Sequence, residues 1–201
     1  MKYIAKKSLA LVLVLCLIAT LSLFVGCGSK DEEEEKEQTP EAAVEKYFDA
    51  TVKYDTSKIG DLAPNAVWEY IEDEEDISLD DIKNGFDDQR SDLIDEVEDE
   101  YGKNYKVNYE ISDKEELSDD DLEELAEAID DNYDGAIKKS DVKKAYRLDI
   151  EGEIKGSEGS EEIEMDDFIV VSIKGKWYPV SAYGNFYASM FTYFGMDIDE
   201  Y

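Results

Sequence analysis

The hydrophobic period of this chain changes at Gly102, and that change fixes the fold class. Before it, Leu79, Ile82, Phe86, Leu93, Val97 and Tyr101 keep helical spacing for about six turns. Directly after it, Tyr105, Val107, Tyr109 and Ile111 alternate with Lys106, Asn108 and Glu110, the pattern of a half-buried strand. A chain that keeps the two periods in separate blocks, instead of cycling between them, builds an α+β domain.

Upstream, Thr39-Pro40 reads as a hydroxyl N-cap followed by proline at the first helical position. Val44, Tyr47, Phe48 and Thr51 then share a face, and residues 55–60 break the helix. Residues 64–71 predict a short second helix with Val67, Tyr70 and Ile71 inward, and 72–76 a solvated turn. Ser78 and Asp81 open the long third helix as a capping box, and Gly102 stops it. Ser118 and Asp121 cap a fourth, with Leu117 stapled onto Leu122 and an apolar stripe of Leu122, Leu125, Ala126, Ile129 and Tyr133.

The last third returns to period two. Tyr146, Leu148, Ile150 and Ile154 form one strand, and Gly156-Ser157-Glu158-Gly159-Ser160 turns the chain. Ile163, Met165, Ile169, Val171 and Ile173 form the next, and Lys174-Gly175-Lys176 turns tightly into Trp177-Tyr178-Pro179-Val180. Pro179 cannot donate to a ladder, so this final strand is expected at an edge. The expectation is helices packed on the concave face of a curved antiparallel sheet of about four strands.

At the other end, Lys2, Lys6 and Lys7 precede an apolar run from Leu9 to Val25, which closes on Phe24-Val25-Gly26-Cys27-Gly28-Ser29. A charged start, an apolar stretch and a small residue before a cleavage point describe a processed signal; a run of this length also suits a membrane anchor. Either reading puts the rest of the chain outside the cytoplasm, tethered to a membrane. The segment resembles the signal peptide of bacterial lipoproteins. The resemblance implies that residues 1–26 are removed and that Cys27 becomes a lipidated N-terminus on the outer face of the cell membrane. Two acyl chains suffice for stable anchoring. Residues 27–38, with Glu32 to Glu35 repelling one another, then read as an extended acidic spacer.

Composition excludes several functions. The first 26 residues hold three lysines and no acid, so the remainder carries 53 acidic against 18 basic residues, a net of −35. Such a field repels nucleic acid, which binds through neutralisation of its phosphates by Lys and Arg. With no histidine in the chain, Ser-His-Asp triads and ordinary zinc sites are excluded. Cys16 falls in the leader and Cys27 takes the lipid, which leaves no thiol or disulfide. No cofactor is expected, Ca²⁺ apart.

Residues 39–182, in the order of their helices, their closing hairpin and the run Ile173-Lys174-Gly175-Lys176-Trp177-Tyr178, look like the small NTF2-like lipoproteins of Gram-positive bacteria, many of them in families of unknown function. The resemblance implies a cone between helices and sheet. Enzymes of that superfamily place Asp, His or Tyr there, and no such set maps onto this chain. A non-catalytic domain that binds a small ligand or an envelope protein is therefore expected.

Three features are candidates for function. Asp130, Asn132, Asp134, Gly135 and Asp141 occupy positions 1, 3, 5, 6 and 12 of a loop similar to EF-hand or dockerin calcium loops, where oxygen ligands surround Ca²⁺ and the glycine permits the sharp turn. The alternative is the frayed end of the fourth helix and a loop. In residues 183–201, Tyr183, Phe186, Tyr187, Phe191, Tyr193 and Phe194 crowd one stretch, and Phe186, Tyr187, Met190, Phe191 and Phe194 make an aromatic stripe that would line a ligand cavity, present a surface to a partner, or seal the core. Trp177 and Tyr178 would stack on a ligand, or hold the hairpin as a cross-strand aromatic pair.

Overall fold

The computed structural model describes residues 39–186. The expected leader, Cys27 and the acidic spacer lie outside the described residues, as do Tyr187, Met190, Phe191 and Phe194.

The fold is mixed α+β. Helix α1 (Pro40–Thr51) begins as its sequence requires, with Ala42 N–H donating to Thr39 Oγ1 at 3.2 Å and Pro40 in the first turn. It is buried around most of its circumference, through Ala43, Val44, Tyr47, Phe48, Ala50 and Thr51. Thr51 meets the core without an orphaned hydroxyl, because its Oγ1 donates to Tyr47 O at 2.7 Å. The expected break at 55–60 is a 3₁₀ helix (Thr56–Leu62), capped by Asp55, that sends Ile59 and Leu62 into the core.

Helix α2 (Asn65–Glu75) runs past residue 71 through the stretch expected as a turn. Its acids are all exposed, so nothing penalises continuing the helix until Asp76 adopts φ +57°. Trp68, absent from the inward set read from sequence, is buried and donates Nε1–H to Gly60 O at 3.1 Å. Helix α3 (Leu79–Tyr101) has the predicted Ser78–Asp81 capping box. Its stripe does less than its spacing suggests. Ile82 and Tyr101 are buried and Leu79 and Phe86 pack against the core, whereas Leu93 and Val97 are half-buried outside it.

Strands β1 (Lys106–Glu116), β2 (Val142–Lys155), β3 (Ser160–Ile173) and β4 (Lys176–Val180) form one antiparallel sheet in the order β1-β2-β3-β4. Helix α4 (Asp119–Asn132), capped by Ser118, connects β1 to β2. Strand β4 is an edge, as Pro179 requires. Lys174 (φ +52°) and Gly175 (φ +85°) make the turn before it, the pair of positive φ values that a two-residue hairpin uses. Positions 169 to 173 of β3 are all buried, so both faces of the sheet are covered there, in place of the single inward face expected from alternation.

The neighbours Trp177 and Tyr178 leave β4 on opposite faces. Trp177 packs on Tyr146 (centroids 5.4 Å apart) and Tyr178 on Phe186 (6.3 Å). Each anchors one layer. Helix α1 meets the sheet through Phe48, stacked on Tyr109 at 4.0 Å, and Tyr47, edge-on to Phe168 at 4.9 Å.

Candidate functional site at the end of helix α4

The aspartate loop and the start of the aromatic stripe meet at the C-terminus of α4. The helix ends in a left-handed cap. Tyr133 is its last half-helical residue, Asp134 takes φ +45° and Gly135 φ +77°, and Gly135 N–H donates to Asp130 O at 2.9 Å. That six-to-one hydrogen bond is the Schellman closure of a helix. The Asp-Gly pair thus serves the cap, and a calcium loop would ask for the same glycine.

Three of the four expected ligands are held by separate partners. Asp130 Oδ2 accepts from Lys139 N–H at 2.9 Å, and Asn132 Nδ2 donates to Tyr183 O at 2.8 Å. Asp141 Oδ2 lies 3.3 Å from Lys174 Nζ, and Asp134 is exposed. Beyond Asp141 the chain enters β2, where an EF-hand would continue as helix. Among the described residues no group of three or more carboxylate, thiol or imidazole side chains gathers as a metal site would.

A chain of rings runs from this cap into the core. Tyr70 of α2 meets Tyr133 edge-on at 5.5 Å, Tyr133 meets Phe186 at 5.7 Å, and Phe186 meets Tyr178. The Tyr133 hydroxyl accepts from Phe186 N–H at 2.9 Å and donates to Asn185 Oδ1 at 3.3 Å. Phe186 is fully buried and Trp177 nearly so. Both candidate ligand contacts are covered by neighbouring rings, and Tyr178, on the face opposite Trp177, is half-buried. Beside the rings a depression of about 420 Å³ opens, with Tyr70 and Tyr133 in its wall and Glu69, Asp73, Glu74 and Asp134 around it.

The turn after β4 is fixed against the helix. Gly184 N–H donates to Ser181 O at 2.9 Å, and Asn185 N–H to Ser181 Oγ at 3.1 Å. Gly184 has φ +74°, and a Cβ there would stand 2.8 Å from Ile129 N, so only glycine permits this approach. The turn leaves the Tyr183 ring 84% exposed while Asn132 holds its carbonyl. A large aromatic on a rigid turn, pointing to water, is the feature that sequence alone placed only within a crowded stripe.

A second charged surface depends on register. Asn108, Glu153 and Glu162 are cross-strand partners in one row, and Glu110, Glu151 and Glu164 in the next row but one, across β1, β2 and β3. They border an open depression of about 560 Å³. Glu110 is legible in the sequence as an outward position, and the register is what brings the five glutamates together. Tyrosines carry the clearest displaced titrations. Burial pushes Tyr109 up to about 12, helped by Glu45 and Asp49, and the hydrogen bond to Glu161 raises Tyr101. Both sit at helix–sheet contacts.

No helix among the described residues is long and apolar enough to cross a membrane. No protein-family model matches the chain, and neither the curated proteins nor the solved structures contain a significant match to it.

Proposed function

We propose that this chain is a lipoprotein anchored through Cys27 to the outer face of the cell membrane, with a non-catalytic NTF2-like domain that binds another envelope protein. The leader sequence supports the anchor, and four helices with a four-stranded antiparallel sheet support the coarse architecture of that fold. The observation that carries the binding role is Tyr183. It is 84% exposed, its carbonyl accepts from Asn132 Nδ2–H, Ser181 closes the turn around it through Gly184 N–H, and a depression walled by Tyr70 and Tyr133 opens beside the same helix cap. Rigid, exposed tyrosines are the residue type that dominates protein interfaces, because they offer a large contact area at low entropic cost. Protein fits better than a small ligand: the depression is open, and acidic groups surround its rings.

Two experiments test the reading. The chain extracted from membranes should have the mass of a product that starts at Cys27 and carries acyl groups, and Cys27→Ser should lose the added mass and keep the leader; a native chain that retains residues 1–26 or carries no lipid would overturn the lipid anchor. A photo-reactive benzoylphenylalanine placed at position 183 of the full chain should give a discrete crosslinked product in cells. The same group at Asp88, exposed on α3, should give none. Identical patterns at the two positions, or no product at 183, would remove the binding role. Because Tyr183 is exposed, Tyr183→Ala should abolish the interaction and leave thermal unfolding unchanged.

A further inference from the structure

Helix α3 is held at two places. Its first half is fixed to the 3₁₀ segment: Arg90 Nε–H donates to Tyr54 O at 2.8 Å, Thr56 Oγ1 donates to Asp87 Oδ1 at 2.7 Å, and Ile82 is buried. Its last residue is fixed to the tip of the β2–β3 hairpin. The Tyr101 hydroxyl donates to Glu161 Oε2, and Tyr101 O accepts from Glu158 N–H at 3.1 Å. The tip is glycine where it meets the helix end. A Cβ on Gly156 would fall 1.7 Å from Tyr101 O, and one on Gly159 2.9 Å from Glu100 O.

Between the two anchors the helix has no share in the core. Leu93, Ile94 and Val97 are half-buried outside the core cluster. Charge acts against closure. Asp95, Glu98 and Asp99 of α3 face Glu158 and Ser157 of the tip across a gap of about 580 Å³, with Lys103 as the cation on its border. Four carboxylates against one ammonium repel across a distance that added salt screens, since the Debye length is roughly 10 Å at 0.1 M.

We infer that the C-terminal half of α3 is a strap, latched onto the β2–β3 tip by Tyr101 and pushed off it by like charge, so that ionic strength sets how often it opens. Opening uncovers the apolar side of α3 at Leu93, Ile94 and Val97. It also uncovers the row next to the end of the sheet, where Val107, Ile154 and Glu161 are cross-strand partners. The latch has the strength of one hydrogen bond to a charged acceptor and one between backbone groups, plus the close packing of the two glycines. That makes opening a local event and leaves the core intact.

Hydrogen exchange on the full chain tests this, because the Glu158 amide is itself part of the latch. Protection of Glu158 and of residues 93–101 should rise severalfold from about 0.01 M to about 1 M salt, as the screening length falls from roughly 30 Å to roughly 3 Å. Protection of α1 should change far less. Tyr101→Phe should lower Glu158 protection about tenfold at either salt, the equivalent of one charge-assisted hydrogen bond, with α1 unaffected. Asp95→Asn with Glu98→Gln should remove most of the salt response while keeping the latch, and this variant carries the test should Tyr101→Phe fold poorly. Glu158 protection that ignores salt, that follows α1 in step, or that survives Tyr101→Phe would overturn the inference.

Discussion

The two ends of the sheet are built on opposite terms. Around β4 and the second half of β3, every position from 169 to 173 is buried, and rings from α2, α4 and β4 lock together. Around the β2–β3 tip, glutamates stand in cross-strand rows and α3 is held by a few polar contacts. Apolar burial is non-directional and grows with area, so the first end tolerates small shifts and loses stability only when volume is removed. The second end depends on single hydrogen bonds against charge repulsion, which makes it the part that solvent conditions can move. In a chain this acidic, the core is confined to where the helices converge.

Removing volume from the core should have the largest effect. Phe48 is fully buried and stacked on Tyr109. Phe48→Ala should cost about 3–5 kcal/mol, the range for deleting a buried ring and leaving its cavity. Urea unfolding monitored by circular dichroism measures it. A loss under about 1 kcal/mol would mean that α1 is peripheral and the contrast between the two ends is misdrawn.

Much of this contrast can be read in the sequence and some of it cannot. The Thr39 and Ser78 caps, the Gly102 stop and the edge position of Pro179 follow from local chemistry that needs no partner, and each stands where the residues put it. The α3 stripe misleads because spacing reports which residues share a face, without saying whether anything covers that face. Trp68 and the 3₁₀ helix at 56–62 escape because their burial depends on where α1 and β4 lie. The aspartate loop is the instructive case. Asn, Asp and Gly are what a helix cap and a calcium loop both require, so composition alone leaves the two readings open. The Gly135-to-Asp130 hydrogen bond and the Asp130–Lys139 contact give Asp130 and Gly135 a part in the cap. Tyr183 was visible as one aromatic among several. Its exposure comes from the Ser181 turn packing Gly184 onto α4, which no local pattern encodes.

The cap at α4 allows an intermediate test, because it joins the ring-lined core to the polar surface. Asp130→Ala should cost about 1 kcal/mol, since it leaves the part-buried Lys139 amide without its acceptor. Helix-cap chemistry also predicts a spectroscopic result. Terbium emission from the chain should show no saturable component at micromolar ion that Asp130→Ala removes. A saturable signal lost in that variant would restore residues 130–141 as a calcium loop, with the cap as its metal-free form.

The smallest expected effect has the opposite sign, and it sharpens the comparison most. Glu151 on β2 lies directly between Glu110 on β1 and Glu164 on β3. Like charges placed directly opposite one another destabilise a sheet by about 0.2–1 kcal/mol per pair. Glu151→Gln keeps the size and strand geometry and removes the shared charge, so it should stabilise the domain by a few tenths of a kcal/mol up to about 1. The gain should shrink toward zero near 1 M salt, where the screening length is only about 3 Å. Deleting a buried ring on one face of the sheet then weakens the fold, while deleting a charge on the other face strengthens it. If Glu151→Gln is neutral at low salt, the glutamate rows are relaxed by solvent and the distal end is no more strained than the core. If it destabilises, the carboxylate has a favourable partner and the row is held together by attraction.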